Sequence, residues 1–507
     1  MTLATNVVSY LLDNKQPDRV ALLGPEGQRT YGELLDGVLR LSAALRRMGL
    51  RKGDRVLAVG ENSFFWVTCY LGALHAGAVW VPLATDSSPE HLQGISRRTQ
   101  PVLCFVQSRL LMRNQAAFAG LHVVTDLAAP AVPGLASQQS LDQMLSECQA
   151  IEPPQSEVVP DDLAALVFTS GSTGQPRGVM VSHANIMANT ESIIASLSLT
   201  ELDRMMAVLP LHYCFGASLL HTHLRAGGSI VLGPRFLYPE AVLNELQSKE
   251  CTGFAGVPSH FQILLRNTTI RQRSFPRLRH VQQAGGPLAP AFIRELRTAL
   301  PGTQVFIMYG QTEATARLSC LSPEFLDSKL GSIGKGLPGV ELSVLDEHGE
   351  KVAPGEVGEI VATGGNVARG YWCAPEETSQ WFRDGRLYTG DLATVDEDGF
   401  IFIVDRIKDF VKSGGIRVSC RQVEHELLAC EDLLEAAIIG MPDDLLGEAL
   451  KAFVVPRAST AGGVKERVAA FCNESLAPAL RPKEIVVLSS LPKSDSGKVL
   501  KSALKAL

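Results

Sequence analysis

The stretch Val167–Ser182, VFTSGSTGQPRGVMVS, packs hydroxyls and glycines into one short loop directly after an apolar run. Ala164–Phe168 reads as a buried strand, and Thr169, Ser170, Ser172 and Thr173 follow it as hydroxyl donors. Gly171, Gly174 and Gly178 carry no Cβ, so backbone N–H groups there can close on oxygen atoms. A loop of this make-up surrounds phosphate. It is not a Walker loop, which needs Gly-Lys followed by Ser or Thr at the mouth of a helix. Gly178 is followed by Val179, and the basic residue, Arg177, precedes it. A Gly/Ser-rich surface turn is the alternative for any such run, and the rest of the chain decides between them.

At 507 residues the chain is long enough for several units of ordinary size. Its net charge of −6 offers no basic face for nucleic acid. Ten cysteines, scattered from Cys69 to Cys472, form neither a CxxC pair nor a zinc spacing, and read as reduced core residues of a cytoplasmic protein. His221 and His223 read as core or surface histidines rather than a metal pair. The N-terminal MTLATNVVSYLLDNK lacks the basic head and apolar stretch of a signal peptide. Phe64–Ala84 holds no Asp, Glu, Lys or Arg and approaches the ~20 residues a membrane span needs. Gly72, Gly77 and Pro82 break it, so it reads as a buried helix capped by Asn62 or Ser63 and ending near Gly77, followed by a strand over Ala78–Leu83.

Thr30 and Glu33 form a capping box ahead of Leu34, Val38, Leu41, Leu45 and Met48, which share one helical face up to Gly49. The strand Arg55–Val59 follows. This alternation, repeated around Ser229–Leu232 and Thr303–Met308, predicts α/β subdomains with parallel sheets. Ala128–Gln139 reads as a loop. From Gly331 short β segments dominate: Val340–Leu345, Gly358–Ala362, Leu387–Tyr388 and Phe400–Val404, the last after the turn signal Asp398-Gly399. Beyond Asp405 a smaller α+β unit begins, with a helix at Arg421–Ala429, strands Ala436–Gly440 and Leu450–Val455, and a basic helix at the end. The expected organisation is a large N-terminal domain, residues 1–404, made of α/β subdomains and a small β-rich one, then a small C-terminal domain, residues 405–507.

Four further segments carry chemical groups. TQVFIMYGQTE, Thr303–Glu313, ends a β run with an aromatic, a hydroxyl and a carboxylate, where ligands of open α/β sheets are met. Tyr309 can pack on a base, Thr312 can bond phosphate and Glu313 can hold Mg²⁺ through its oxygens; the bland reading of Glu313 is a solvated loop carboxylate. YTGD, Tyr388–Asp391, places an acid after a short strand, suited to a ribose diol or to an ordinary turn. DRIKDFVKSGG, Asp405–Gly415, suits a hinge or a basic loop. PKSDSGK, Pro492–Lys498, puts a lysine close to the C-terminus.

In this order and wording, TSGSTGQPRG, YGQTEA, YTGD, DRIKDFVKSGG and PKSDSGK resemble the adenylate-forming superfamily of acyl- and aryl-CoA synthetases, nonribosomal peptide synthetase adenylation domains and firefly luciferases. The likeness runs over nearly the whole chain. It implies that a carboxylate attacks the α-phosphate of ATP, releasing pyrophosphate, and that a thiol then displaces AMP. By the resemblance, Thr169, Ser170, Gly171, Ser172, Thr173 and Gly174 wrap the β- and γ-phosphates, with Arg177 standing where relatives carry Lys. Thr312 touches the α-phosphate, Glu313 binds Mg²⁺, and Lys498 bridges carboxylate and α-phosphate. Gly285, Gly286 and Tyr309, with Gly310 and Gln311 beside them, border the adenine, and Asp391 and Arg406 take the ribose. The C-terminal domain is expected to rotate about Lys408 between the half-reactions, bringing Gly415 to the thiol tunnel.

The acid is read from PLHYCFGAS, Pro210–Ser218, where His212, Tyr213, Phe215 and Gly216 are expected at the pocket, Phe215 being equally readable as core. Amino-acid-activating relatives carry Asp at the position of Gly216, and an ammonium without a partner is costly to bury, which disfavours an α-amino acid. A fatty or aryl acid passed to CoA is the leading expectation, with the phosphopantetheine of a separate carrier protein as the alternative acceptor. A luciferase-like oxygenase and a nucleotide sensor without turnover are the readings from other classes. Acyl length, oligomeric state and pathway are not legible.

Overall fold

The computed structural model describes residues 6–149, 158–169, 176–234, 236–406, 410–413, 416–430, 432–443, 446–457, 462–493 and 499–507. Helix formation begins where the sequence supplies caps. The Thr30 side chain accepts from the Glu33 N–H while Glu33 reaches back, opening the helix Tyr31–Arg47. Ser63 caps Phe64–Ala76, and Gly77 closes it in the left-handed region with φ +91°. That helix is buried nearly all round, which explains its apolar sequence without a membrane. Among the described residues, no helix is long and apolar enough to cross a bilayer.

Among those residues the strands form four sheets. One runs Ser137–Ser140, His122–Thr125, Leu103–Val106, Arg55–Val59, Val79–Leu83, Leu163–Thr169 and Arg177–Ser182, parallel until the last pair. The polar edge strand Ser137–Ser140 corrects the loop expected at Ala128–Gln139. Its SQQS sequence has no apolar face to announce it, and parallel pairing with His122–Thr125 supplies the order instead. The second and largest sheet is parallel from Val20–Gly24 through Ser229–Val231, Arg204–Met206, Gly253–Gly256 and His280–Gln283 to Gln304–Tyr309, with antiparallel strands at both edges.

The third sheet is antiparallel and joins Val340–Leu345, Gly358–Gly364, Phe382–Arg383, Arg386–Val395 and Ile401–Arg406. Arg386–Val395 runs well past the short segment expected at Leu387–Tyr388, so Asp391 lies within a strand and not in the turn after one. The fourth sheet contains Phe410–Ser413, Ile416–Ser419, Leu433–Asp443, Gly447–Pro456 and Glu484–Val487. The architecture is therefore α/β in a large N-terminal domain, followed by a smaller α+β one. Apolar packing respects this division. The buried clusters around Val411–Ile485 and Ala437–Leu504 contain no residue from the first three sheets, and the clusters beneath those sheets reach no further than Ile403.

Candidate active site

The hydroxyl-rich segment leaves one strand and enters another. Leu163–Thr169 pairs antiparallel with Arg177–Ser182, bringing Thr169 opposite Arg177, so no helix opens on the loop as it would in a Walker site. Thr169 is half-buried at the strand end. Ser170, Gly171, Ser172, Thr173 and Gly174 lie outside the described residues, as do Lys408, Gly415 and Lys498.

Arg177 is buried. Its Nε stands 2.9 Å from Glu377 Oε2, and its guanidinium lies over the Tyr371 ring at 5.3 Å. The Tyr371 hydroxyl in turn donates to Glu313 Oε1 at 2.9 Å. Burial and the Glu313 carboxylate hold that phenol well above its ordinary range, which keeps it a donor. Arg177 thus stands behind Glu313, connected by one aromatic ring.

Glu313 belongs to a turn that the surrounding structure pins from several sides. Gly310 opens it, and a Cβ there would run into the Ala316 carbonyl oxygen, so only glycine fits. Thr312–Ala314 forms a 3₁₀ turn, and Thr315 follows with φ +66°, a costly geometry for a β-branched residue. The Thr315 hydroxyl donates to the Asn366 carbonyl at 2.7 Å. Asn189 bonds both the N–H and the C=O of Arg317, and Asn366 Nδ2 donates to the Arg317 carbonyl at 3.0 Å. The Thr312 hydroxyl sits 3.5 Å from Cys214 Sγ. Gln311, just ahead of that turn, keeps its buried Nε2 without a hydrogen-bond partner.

On one side of this turn lies a cleft of about 450 Å³, lined by Gly285, Gly286, Tyr309, Gly310, Asp391 and Arg406 and, across from them, by C-terminal residues including Arg421, Glu424 and Lys501. The Tyr309 hydroxyl donates to Asp391 Oδ2 at 2.6 Å, while Arg406 Nε donates to Oδ1 at 2.9 Å. Asp391 and Arg406 are direct partners on adjacent strands, which fixes that second contact. Glu424, raised by burial and answered by Lys501 at 2.8 Å, also accepts from the Ile438 N–H.

On the other side lies a smaller cavity of about 40 Å³. Its wall includes His212, Tyr213, Ser218 and His221 from one segment, Thr315 and Ala316 from the turn, and Trp66, Tyr70 and Trp80 from the first sheet and its helix. Burial holds the His212 imidazole down to about 4, so it is neutral at physiological pH. Phe215 stacks its ring beneath the Arg317 guanidinium at 3.9 Å. Gly216 is buried in the first turn of the helix Cys214–Ala226, where a Cβ would strike the Pro210 carbonyl oxygen. Neither of these two lines the cavity. The segment that carries Thr312 and Glu313 thus touches the nucleotide-sized cleft through Gly310 at its start and the smaller cavity through Thr315 and Ala316 at its end.

A sequence model described as AMP-binding enzyme matches residues 12–372. The chain belongs to the AMP-binding enzymes. A second model, for the AMP-binding enzyme C-terminal domain, matches residues 422–498. This AMP-binding enzyme is 34% identical over 482 residues to a feruloyl-CoA synthase of an Amycolatopsis species, covering 94% of this chain and 93% of the relative. Among solved structures it is similar to ATP-bound MatB from Rhodopseudomonas palustris, with TM-score 0.88 and 30% identity over 99% of this chain and 98% of that one. It is also similar to the anthranilate CoA ligase AuaEII in complex with anthranoyl-AMP, with TM-score 0.89 and 27% identity over 100% and 98%. These place the AMP-binding enzyme in the adenylate-forming superfamily. Tyr371, Asn189, Asn366 and Arg317 are parts of its site that sequence reasoning missed. Only Arg317 left a trace there, as a charge within the otherwise uncharged ATARLSCL.

Proposed function

We propose that the chain is an AMP-forming acid–thiol ligase, which activates a carboxylic acid with ATP and passes the acyl group to CoA. The observation that carries this reading is the segment Gly310–Ala316, which borders the cleft at Gly310 and the smaller cavity at Thr315 and Ala316 and carries Thr312 and Glu313 between them, so that an acid and the α-phosphate of ATP would meet along it. A carboxylate oxygen bonds to the α-phosphorus as the bond to the bridging oxygen breaks and pyrophosphate leaves. The CoA sulfur then bonds to the acyl carbon as the C–O bond breaks, AMP leaves, and the thiol proton passes to solvent.

In this reading Tyr309, Gly285 and Gly286 border the adenine, and Asp391 with Arg406 holds the ribose. Thr169 and the loop Ser170–Gly174 hold the outer phosphates, and Thr312 donates to the α-phosphate. Such fixed donors act where charge builds up during the displacement. The residues present fit a Mg²⁺ ion: Glu313 supplies one carboxylate, and triphosphate oxygens and water complete such a site. Bound there, Mg²⁺ would offset phosphate charge. Arg177, acting on Glu313 through Tyr371, orients that carboxylate. Lys498 bridges the acid and the α-phosphate. Residues 1–404 form the adenylating domain and 405–507 the domain that turns about Lys408 to bring Gly415 to the thiol, a division supported by apolar clusters that do not cross it. The acid enters by His212 and Tyr213.

Relatives named for CoA support CoA over a carrier-protein phosphopantetheine as acceptor. A pyrophosphate-exchange screen with Mg²⁺ and a panel of fatty, aryl and short acids tests the first half-reaction. CoA and a candidate carrier, offered with the best acid, test the second. Absence of exchange with every acid would end this reading.

A further inference from the structure

Arg317 sits in the core without a counter-ion. It is 1% exposed, and its contacts are neutral: Nη1 donates to Ser218 Oγ at 2.6 Å, Nη2 to Gln282 Oε1 at 3.3 Å, and the guanidinium lies over Phe215. Among the described residues no carboxylate pairs with it, and its buried Nε has no acceptor. Burial pushes its pKa down to about 10, so it stays charged at neutral pH. An uncompensated buried cation costs several kcal/mol, a cost that a ligand of opposite charge would offset.

The charge borders the smaller cavity. Ser218, which accepts the Arg317 bond, lines that cavity, and so do Cys214 and Ala316. One turn along the same helix, His221 Nε2 is 2.7 Å from the Tyr70 hydroxyl, and Tyr70 packs on Trp80 at 5.4 Å. Trp80 Nε1 and His212 Nε2, both from wall residues, are buried without hydrogen-bond partners. A chamber with apolar sides thus carries unmet polar groups on its wall and has a cation behind it. Its volume of about 40 Å³ compares with roughly 10–15 Å³ for one water. That is room for about three or four water-sized groups, the scale of a short polar terminus.

Resting on the acid–thiol ligase reading above, we propose that the acid is a short dicarboxylic acid whose far carboxylate is read by Arg317 with Ser218. The second carboxylate supplies the missing counter-charge and an acceptor for the Trp80 N–H. A methyl terminus would leave both unmet.

The test compares kcat/KM for pyrophosphate release with matched acids, butanoate against butanedioate and pentanoate against pentanedioate, in the wild type, Arg317→Met and Arg317→Lys. The wild type is expected to favour the diacid by ~100-fold or more, since a site built for a polar group discriminates strongly against its absence. Arg317→Met should bring the diacid-to-monoacid ratio to about one or below, with Arg317→Lys in between. A wild-type preference for monoacids, or a ratio that Arg317→Met leaves unchanged, overturns the assignment. Should Arg317→Met fail to fold, the wild-type ratio and Arg317→Lys decide. Release with monoacids alone would remove this inference and keep the ligase reading. Release with none of these four short acids would remove this inference, and the ligase reading would then stand or fall on the broader panel above.

Discussion

The Tyr309 hydroxyl donates a 2.6 Å hydrogen bond to Asp391 Oδ2, joining the end of a strand in the large parallel sheet to the middle of a strand in the antiparallel one. Asp391 is buried and receives Arg406 on its other oxygen. Tyr309→Phe should therefore leave a buried carboxylate oxygen short of a donor, costing about 1–3 kcal/mol of stability. Asp391→Asn keeps the shape but removes the charge and should raise the KM for ATP about tenfold or more. Thermal unfolding and ATP titration of pyrophosphate exchange check the two effects separately.

Buried Arg177 pairs with half-buried Glu377, and its guanidinium lies against the Tyr371 and Trp381 rings. Removing the cation by Arg177→Ala strands Glu377 and frees Tyr371 to swing away from Glu313. The expected loss is about 2–4 kcal/mol of stability, together with a weaker dependence on Mg²⁺. Arg177→Lys should recover most of the stability but not the stacking. Melting temperature and Mg²⁺ titration of the exchange rate are the measurements.

Gly310→Ala should slow adenylation by roughly 100-fold or more, because displacing Thr312 and Glu313 by even 1 Å removes aligned contacts. The cause is the Ala316 carbonyl, against which the new methyl would press. Gly302→Ala provides a control: a Cβ there meets nothing within 4 Å, so its cost is left-handed backbone strain alone, at φ +81°. Single-turnover formation of acyl-AMP distinguishes the two variants.

Acid should weaken the fold before it reaches the carboxylates. Burial holds His212 and His223 down to about 4 and His221 to about 3, against 6.5 when unfolded. Between those values the unfolded chain binds more protons, so stability is full above pH 6.5 and is lost as pH falls toward 4. Each such group contributes about 1.4 kcal/mol per pH unit in that window. The melting temperature at pH 5.5 should lie several degrees below that at pH 7.5. No change across this interval would contradict the neutral burial of these rings.

Lys498→Ala should lower pyrophosphate exchange by roughly 100- to 1,000-fold while sparing thioester formation from supplied acyl-adenylate. Equal loss in both half-reactions would sink the division of labour between the two domain positions.

The helix ends were legible in the sequence because they are written locally: Thr30 with Glu33, and Ser63 with Gly77, act within one turn. The strand Gln304–Tyr309 was legible from its apolar run, while Gly285, Gly286, Asp391 and Arg406, which line one cleft, were expected there only from the resemblance to the adenylate-forming superfamily. What escaped depends on distant partners. Tyr371 meets Glu313 across 58 residues, and Asn189 holds Arg317 across 128, with no periodicity to signal either contact. The placement of Gly216 was also hidden, since its need for glycine comes from the Pro210 carbonyl rather than from a ligand.

The separate packing of the last hundred or so residues has an evolutionary corollary. A unit whose buried apolar clusters draw on no residue before Val411 can be exchanged by recombination near position 405 without opening either core. On the division of roles proposed above, hybrids spliced at that seam would take acid selectivity from one parent and thiol delivery from the other, whereas crossovers within Leu433–Pro456 would split a hairpin and be purged.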